Sequence, residues 1–217
     1  MDIDHIFYHC NQIDGYLPQG LFAKNTALEN VSYAFAWCRK LEKYPTADVM
    51  TCVPDDLFKN CPLTNAAWIF WNCSGLTGSV PPLFSFKTKL LDVSGAFCNT
   101  KVEGPITSNF MNDCTMLQKM ECLFEGCSKL TSISKDLLTD NMNAVTNAKH
   151  CFKGCSNVAG EVPTFQRQPS ANKTGAFAGM KADLITNYSA IQNWTTADLN
   201  HGHIDPYSTT QDEYLDN

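Results

Sequence analysis

Residues 120–130 read MECLFEGCSKL and residues 148–158 read AKHCFKGCSNV, with Phe, Gly, Cys and Ser in register. Aligning the chain on this phenylalanine gives Phe7, Phe35, Phe70, Phe97, Phe124, Phe152 and Phe177, separated by 28, 35, 27, 27, 28 and 25 residues. Units this short cannot bury their own apolar faces, so the copies must stack and share a core. The residue before each Phe is apolar (Ile6, Ala34, Ile69, Ala96, Leu123, Cys151, Ala176). So are those four before it (Ile3, Val31, Ala66, Val93, Met120, Ala148) and seven before it (Leu28, Leu63, Leu90, Leu117, Val145). Offsets of −7, −4, −1, 0 and +3 from the Phe line one helical face, which predicts that each unit opens with a short helix.

After the Phe the rhythm changes. IDGYLP (13–18), LTGSVP (76–81), VEGPI (102–106), LTSIS (130–134) and VAGEVP (158–163) mostly alternate at period two, the pattern of a short strand with one buried face. A second apolar anchor follows at Phe22, Phe84, Phe110, Leu138 and Phe165, with Phe58 delayed by an insertion around residues 43–50. The expected fold is an α/β repeat solenoid over residues 1–187, with short parallel strands along one side and short helices or irregular segments along the other. Residues 188–200 are expected to cap it through Ile191 and Trp194, and 201–217 to form an acidic polar tail.

The phrases AFAWCRKL, LFEGCSKLTSI and CFKGCSNV, with LTGSVP as the strand, resemble the leucine-rich repeats of the BspA type. Such repeats occur in surface proteins of gut and oral bacteria, with related arrays in some protozoa and in phages of gut bacteria. The resemblance covers roughly residues 3–185. It implies a leucine-rich-repeat fold and a role in binding other molecules, and it leaves the ligand open. Two units depart from the pattern, because Thr100 and Met180 stand where the others carry Cys.

Composition narrows the function. All 16 Lys and Arg lie at or before Lys181, and the net charge of −6 comes from the acids beyond it. A neutral body has no basic stripe for phosphates, so no nucleic-acid partner is expected. The longest apolar run, 66–71, is too short for a membrane span, and no signal peptide opens the chain. The chain is therefore expected at a cell surface if part of a longer secreted protein, or in a virion.

Eleven cysteines, five of them three residues after a Phe (Cys10, Cys38, Cys73, Cys127, Cys155), read as a row of buried thiols in a reduced chain. No CxxC pair offers zinc-ligand spacing, His201, His203 and Asp205 lie isolated in the tail, and no nucleophile motif or phosphate loop appears. The expectation is a protein without metal, cofactor or catalytic residues. Two ligand-binding surfaces are candidates. One is the strand face, with Asp14, Tyr16, Glu42, Thr77, Ser79, Glu103, Thr131 and Glu161 pointing outward. The other is an aromatic end, where a helix would expose Tyr8, His9, Trp37, Trp71 and Asn72 to a sugar ring or protein. Ile3, Ile6 and Phe7 already occupy core positions, so the first unit is expected to stack on another domain or chain, as in a phage virion or tail fibre.

Overall fold

The computed structural model describes residues 1–45, 50–138, 142–163, 165, 168 and 170–180. The expected cap and tail lie outside them. Among the described residues the regular elements are strands β1 (Gly104–Ile106) and β2 (Leu130–Ile133), paired in parallel, and a single 3-10 turn at Ser108–Met111.

The helices expected before each Phe do not form, and the backbone hydrogen bonds show why. In the second unit the N–H groups of Ala34, Ala36 and Cys38 donate to carbonyls three residues back at 3.0–3.2 Å. Those of Val31, Tyr33, Phe35 and Trp37 donate instead to Asn65, Ala67, Ile69 and Trp71 of the next unit at 2.7–3.0 Å. An α-helix would keep all of these amides to itself. Alternate bonding needs left-handed backbone at two places per unit: −2 (His5, Tyr33, Trp68, Gly95, Cys122, His150, Gly175) and +2 (His9, Trp37, Asn72, Asn99, Gly126, Gly154, Gly179). There φ runs from 53° to 77°, the third-residue conformation of a type II turn.

A further column starts each run of turns. At −5 stand Asp2, Asn30, Asn65, Asp92, Asn147 and Asn172, whose side-chain oxygens accept the N–H two residues on at 2.8–3.1 Å. Asn and Asp favour this turn because a short carbonyl side chain imitates a backbone acceptor. Lys119 takes the place in the fifth unit and pairs with Asp92 at 3.6 Å. Parallel bridges link the same column unit to unit, from Asp2↔Asn30 through to Asn147↔Asn172.

Inside, the seven Phe rings follow one another at centroid separations of 5.3–6.2 Å. Phe35, Phe70, Phe97, Phe124 and Phe152 are essentially inaccessible to solvent. Second anchors Phe22, Phe58, Phe84, Phe110 and Phe165 are buried too, whereas in the fifth unit Leu137 fills the core and Leu138 is half-buried. Thiols close the stack: Cys38, Cys73, Cys127 and Cys155 donate to the carbonyls of Phe7, Phe35, Phe97 and Phe124 at 3.0–3.3 Å. Cys61 and Cys114 do the same for Phe22 and Phe84 at 3.3 and 3.0 Å. Thr100, standing in place of a Cys, turns its hydroxyl to the carbonyl of its own unit's Phe97 at 2.8 Å, the acceptor that Cys127 also uses.

On the opposite side Gly15 bridges Leu41, Thr51 bridges Ser79, and β1 pairs β2. The insertion after Lys43 turns back on itself, with an antiparallel bridge between Tyr44 and Thr51.

Phe124→Ala is expected to destabilise the fold by about 3 to 5 kcal/mol in denaturant unfolding, since it empties a fully buried ring position. Burial pushes the Cys38 thiol up to about 11 and the Cys114 and Cys127 thiols up to about 12 from an ordinary value of 9.0. Unfolded thiols lose protons that the folded chain retains, so this contribution to stability is complete below pH 9.0 and declines between 9.0 and about 12. Unfolding midpoints measured across that window should fall, while near neutral pH half-buried Cys10 should be the thiol that reacts first with a disulfide reagent.

Candidate functional site: two faces of the repeat

Side chains at −2 and +1, with Ala67 at −3, leave the turns on their outer side and pack across units. They form a second apolar cluster of Ala36, Ala67, Trp68, Trp71, Cys98 and Cys122, flanked by half-buried Tyr8, Tyr33 and Trp37. His5 stacks on Tyr33 at 4.5 Å, Trp37 meets Trp71 edge-on at 5.5 Å, and Arg39 lies 4.4 Å over the Trp37 ring. Gly95 is required beneath this cluster, because a Cβ there would overlap the Trp68 ring.

The expectation of an exposed aromatic end therefore needs correcting. Trp71 is buried at 3% exposure, and Tyr8, His9, Trp37 and Asn72 are half-buried. The turns direct these rings against one another, whereas a helix would have fanned them into solvent. At the described start of the insertion, Tyr44 contacts Tyr16 on the opposite side. Burial raises the Tyr8 phenol and pushes Tyr33 up to about 12, so both remain neutral donors at ordinary pH.

The strand side brings the other candidates together in chain order. Asp14, Tyr16, Glu42, Glu103, Thr131 and Glu161 are exposed, while Thr77 and Ser79 are half-buried. Ser79 is drawn inward by its hydroxyl bond to the Met50 carbonyl at 3.3 Å. Backbone bonds join the rungs: Glu42 N–H to Gly15, Glu103 N–H to Gly78, and Ala159 N–H to Thr131, at 2.7–3.0 Å. Tyr16, 53% exposed, is held edge-on by Tyr44 at 5.5 Å.

Stacking also creates a cluster that linear spacing did not indicate. One ligand atom each from Cys122, Glu125 and His150 lie within 4.8 Å of one another. Lys153 pairs with Glu125 at 2.8 Å beside them. The available signal was positional: Cys122 and His150 both occupy −2, one period apart, and Glu125 occupies +1. Elsewhere, a surface pocket beside Phe86 is lined by Lys59, Lys87 and Lys89, but the Lys87 ammonium is already committed to the carbonyls of Phe58, Lys59 and Cys61.

No family model, curated protein or solved structure matches the chain.

Trp71→Ala is expected to cost about 3 to 5 kcal/mol, as for other buried aromatic truncations. Trp37→Ala should cost about 1 kcal/mol, the usual size for a side chain outside a core. Equal losses in denaturant unfolding would show that both rings carry the outer cluster alike.

Proposed function

We propose that this chain is a BspA-like leucine-rich-repeat solenoid acting as a non-enzymatic recognition or adhesion module for a protein or glycan ligand. The observation that carries the reading is the exposed Tyr16 ring, fixed by Tyr44 on a side that also exposes Asp14 and Glu42. An aromatic plane beside hydrogen-bond acceptors offers a sugar or a partner side chain large contact area at low entropic cost. Glu103, Thr131 and Glu161 extend the same polar face along successive rungs. Alternatively, the chain is a structural or receptor-binding part of a larger assembly such as a phage virion or tail fibre. That reading is favoured by the apolar flank of the first unit, where Ile6 is 51% exposed and Ile3 and Phe7 only half-buried.

The test is a screen of the purified chain on immobilised glycans and surface proteins, repeated with Tyr16→Ala and with Glu161→Ala. A hot-spot ring is worth about 2 kcal/mol, so Tyr16→Ala should weaken the ligand found by roughly thirtyfold. Binding that is indifferent to Tyr16, Asp14 and Glu42 would overturn the assignment to this face.

A further inference from the structure

We propose that Cys122, Glu125 and His150 form a binding site for a divalent ion of the zinc class. The three residues supply sulfur, carboxylate oxygen and imidazole nitrogen, the donor set that borderline-soft Zn²⁺ accepts in a tetrahedral site. Three protein ligands leave a fourth position for water or for an atom of a bound partner.

Stacking fixes the donors. The Cys122 N–H bonds the Lys149 carbonyl of the following unit at 2.9 Å, which places His150 next to Cys122. Glu125 N–H donates to the Cys122 carbonyl at 3.1 Å, bringing the carboxylate to the same side within one turn. Cys122 and His150 both hold left-handed backbone, with φ of 54° and 55°, at an offset filled by glycine in the fourth and seventh units. Gly175 leaves the space that the imidazole occupies, since a Cβ on it would come within 2.5 Å of His150 Cδ2.

The donors lie within 4.8 Å of one another and Cys122 and His150 are buried, so small side-chain rotations close the set to the roughly 3.3 to 3.8 Å separations of a tetrahedral zinc site. Glu125 has two carboxylate oxygens. Lys153 pairs with Oε1 at 2.8 Å, and the carboxylate also accepts a hydrogen bond from the Cys122 thiol, whose proton the ion replaces. On binding, the Cys122 S–H bond breaks, its proton passes to solvent, and the thiolate electron pair forms the metal–sulfur bond. Glu121, paired with Lys149 at 3.9 Å, is a further charge acting on Cys122, and Lys153 pairs with Glu125.

The experiment is titration of the full, reduced chain with Co²⁺ as a spectroscopic stand-in, followed by displacement with Zn²⁺. One equivalent should produce a thiolate-to-cobalt charge-transfer band and strong ligand-field bands, both erased by Zn²⁺. Cys122→Ser should remove the charge-transfer band. His150→Ala should weaken binding by at least about tenfold, a loss that even an outer-shell partner's removal produces. Cys10→Ser and the paired change His201→Ala with His203→Ala should leave the spectrum intact. Independently of any variant's folding, Zn²⁺ should raise the thermal midpoint of the unaltered chain and a chelator should reverse the rise. Absence of both the band and the shift overturns the site, as does a band that survives Cys122→Ser and His150→Ala.

Discussion

Everything in this molecule depends on how each unit divides its backbone amides. Within the turn segments, alternate N–H groups close tight turns while the others cross to the next unit, as Val31, Tyr33, Phe35 and Trp37 do toward 65–71. Buried amides must find partners, and half of these partners belong to a different unit. A unit on its own would leave a row of donors open. Order along the chain is therefore a neighbour effect, in which the Phe rings and the thiol-to-carbonyl bonds reinforce a backbone ladder that already sets the spacing.

That division has a conformational cost. Left-handed backbone is easy for glycine and tolerable for asparagine, yet Tyr33, Trp37 and Trp68 adopt it. What offsets the strain is packing, because the same geometry aims Tyr33 and Trp68 into a shared cluster, with their rings stacked at 6.3 Å. Later units place small or polar residues at these offsets: Gly95, Gly126, Gly154, Gly175. The outer side thus passes from aromatic to polar along the stack, with backbone geometry constant and side-chain chemistry changing.

The register of the units was legible because the Phe, its apolar neighbours and its Cys recur at fixed offsets, and a column of bridges runs five residues before each Phe. Backbone conformation was misread for a definite reason. Turns closed three residues apart bury nearly the same offsets as a helix, so apolar spacing does not distinguish them. The distinguishing residues were polar: Asn or Asp at −5, and Gly or Asn at +2 in five of the seven units. On the strand side the burial of Leu76, Val102, Leu130 and Val158 follows the period-two reading, and six of the eight residues expected outward are exposed. Trp71 was misplaced because exposure was inferred from a helix that does not form. Cys122, Glu125 and His150 escaped because a linear scan compares neighbours, and here the neighbour lies one unit further on.

The fold-back between Tyr44 and Thr51 gives the two sides of the stack different strand counts. On the turn side Asn30 meets Asn65 directly, whereas on the strand side Thr51 intervenes before Ser79. One additional strand occupies about 4.8 Å. The additional strand is present on one side only, since Asn30 and Asn65 pair with nothing between them. Along the polar face this strand stands between two groups: Asp14, Tyr16 and Glu42 precede it, and Glu103, Thr131 and Glu161 follow it. A ligand that touches both groups must therefore reach across the added strand, about 4.8 Å further than one rung to the next.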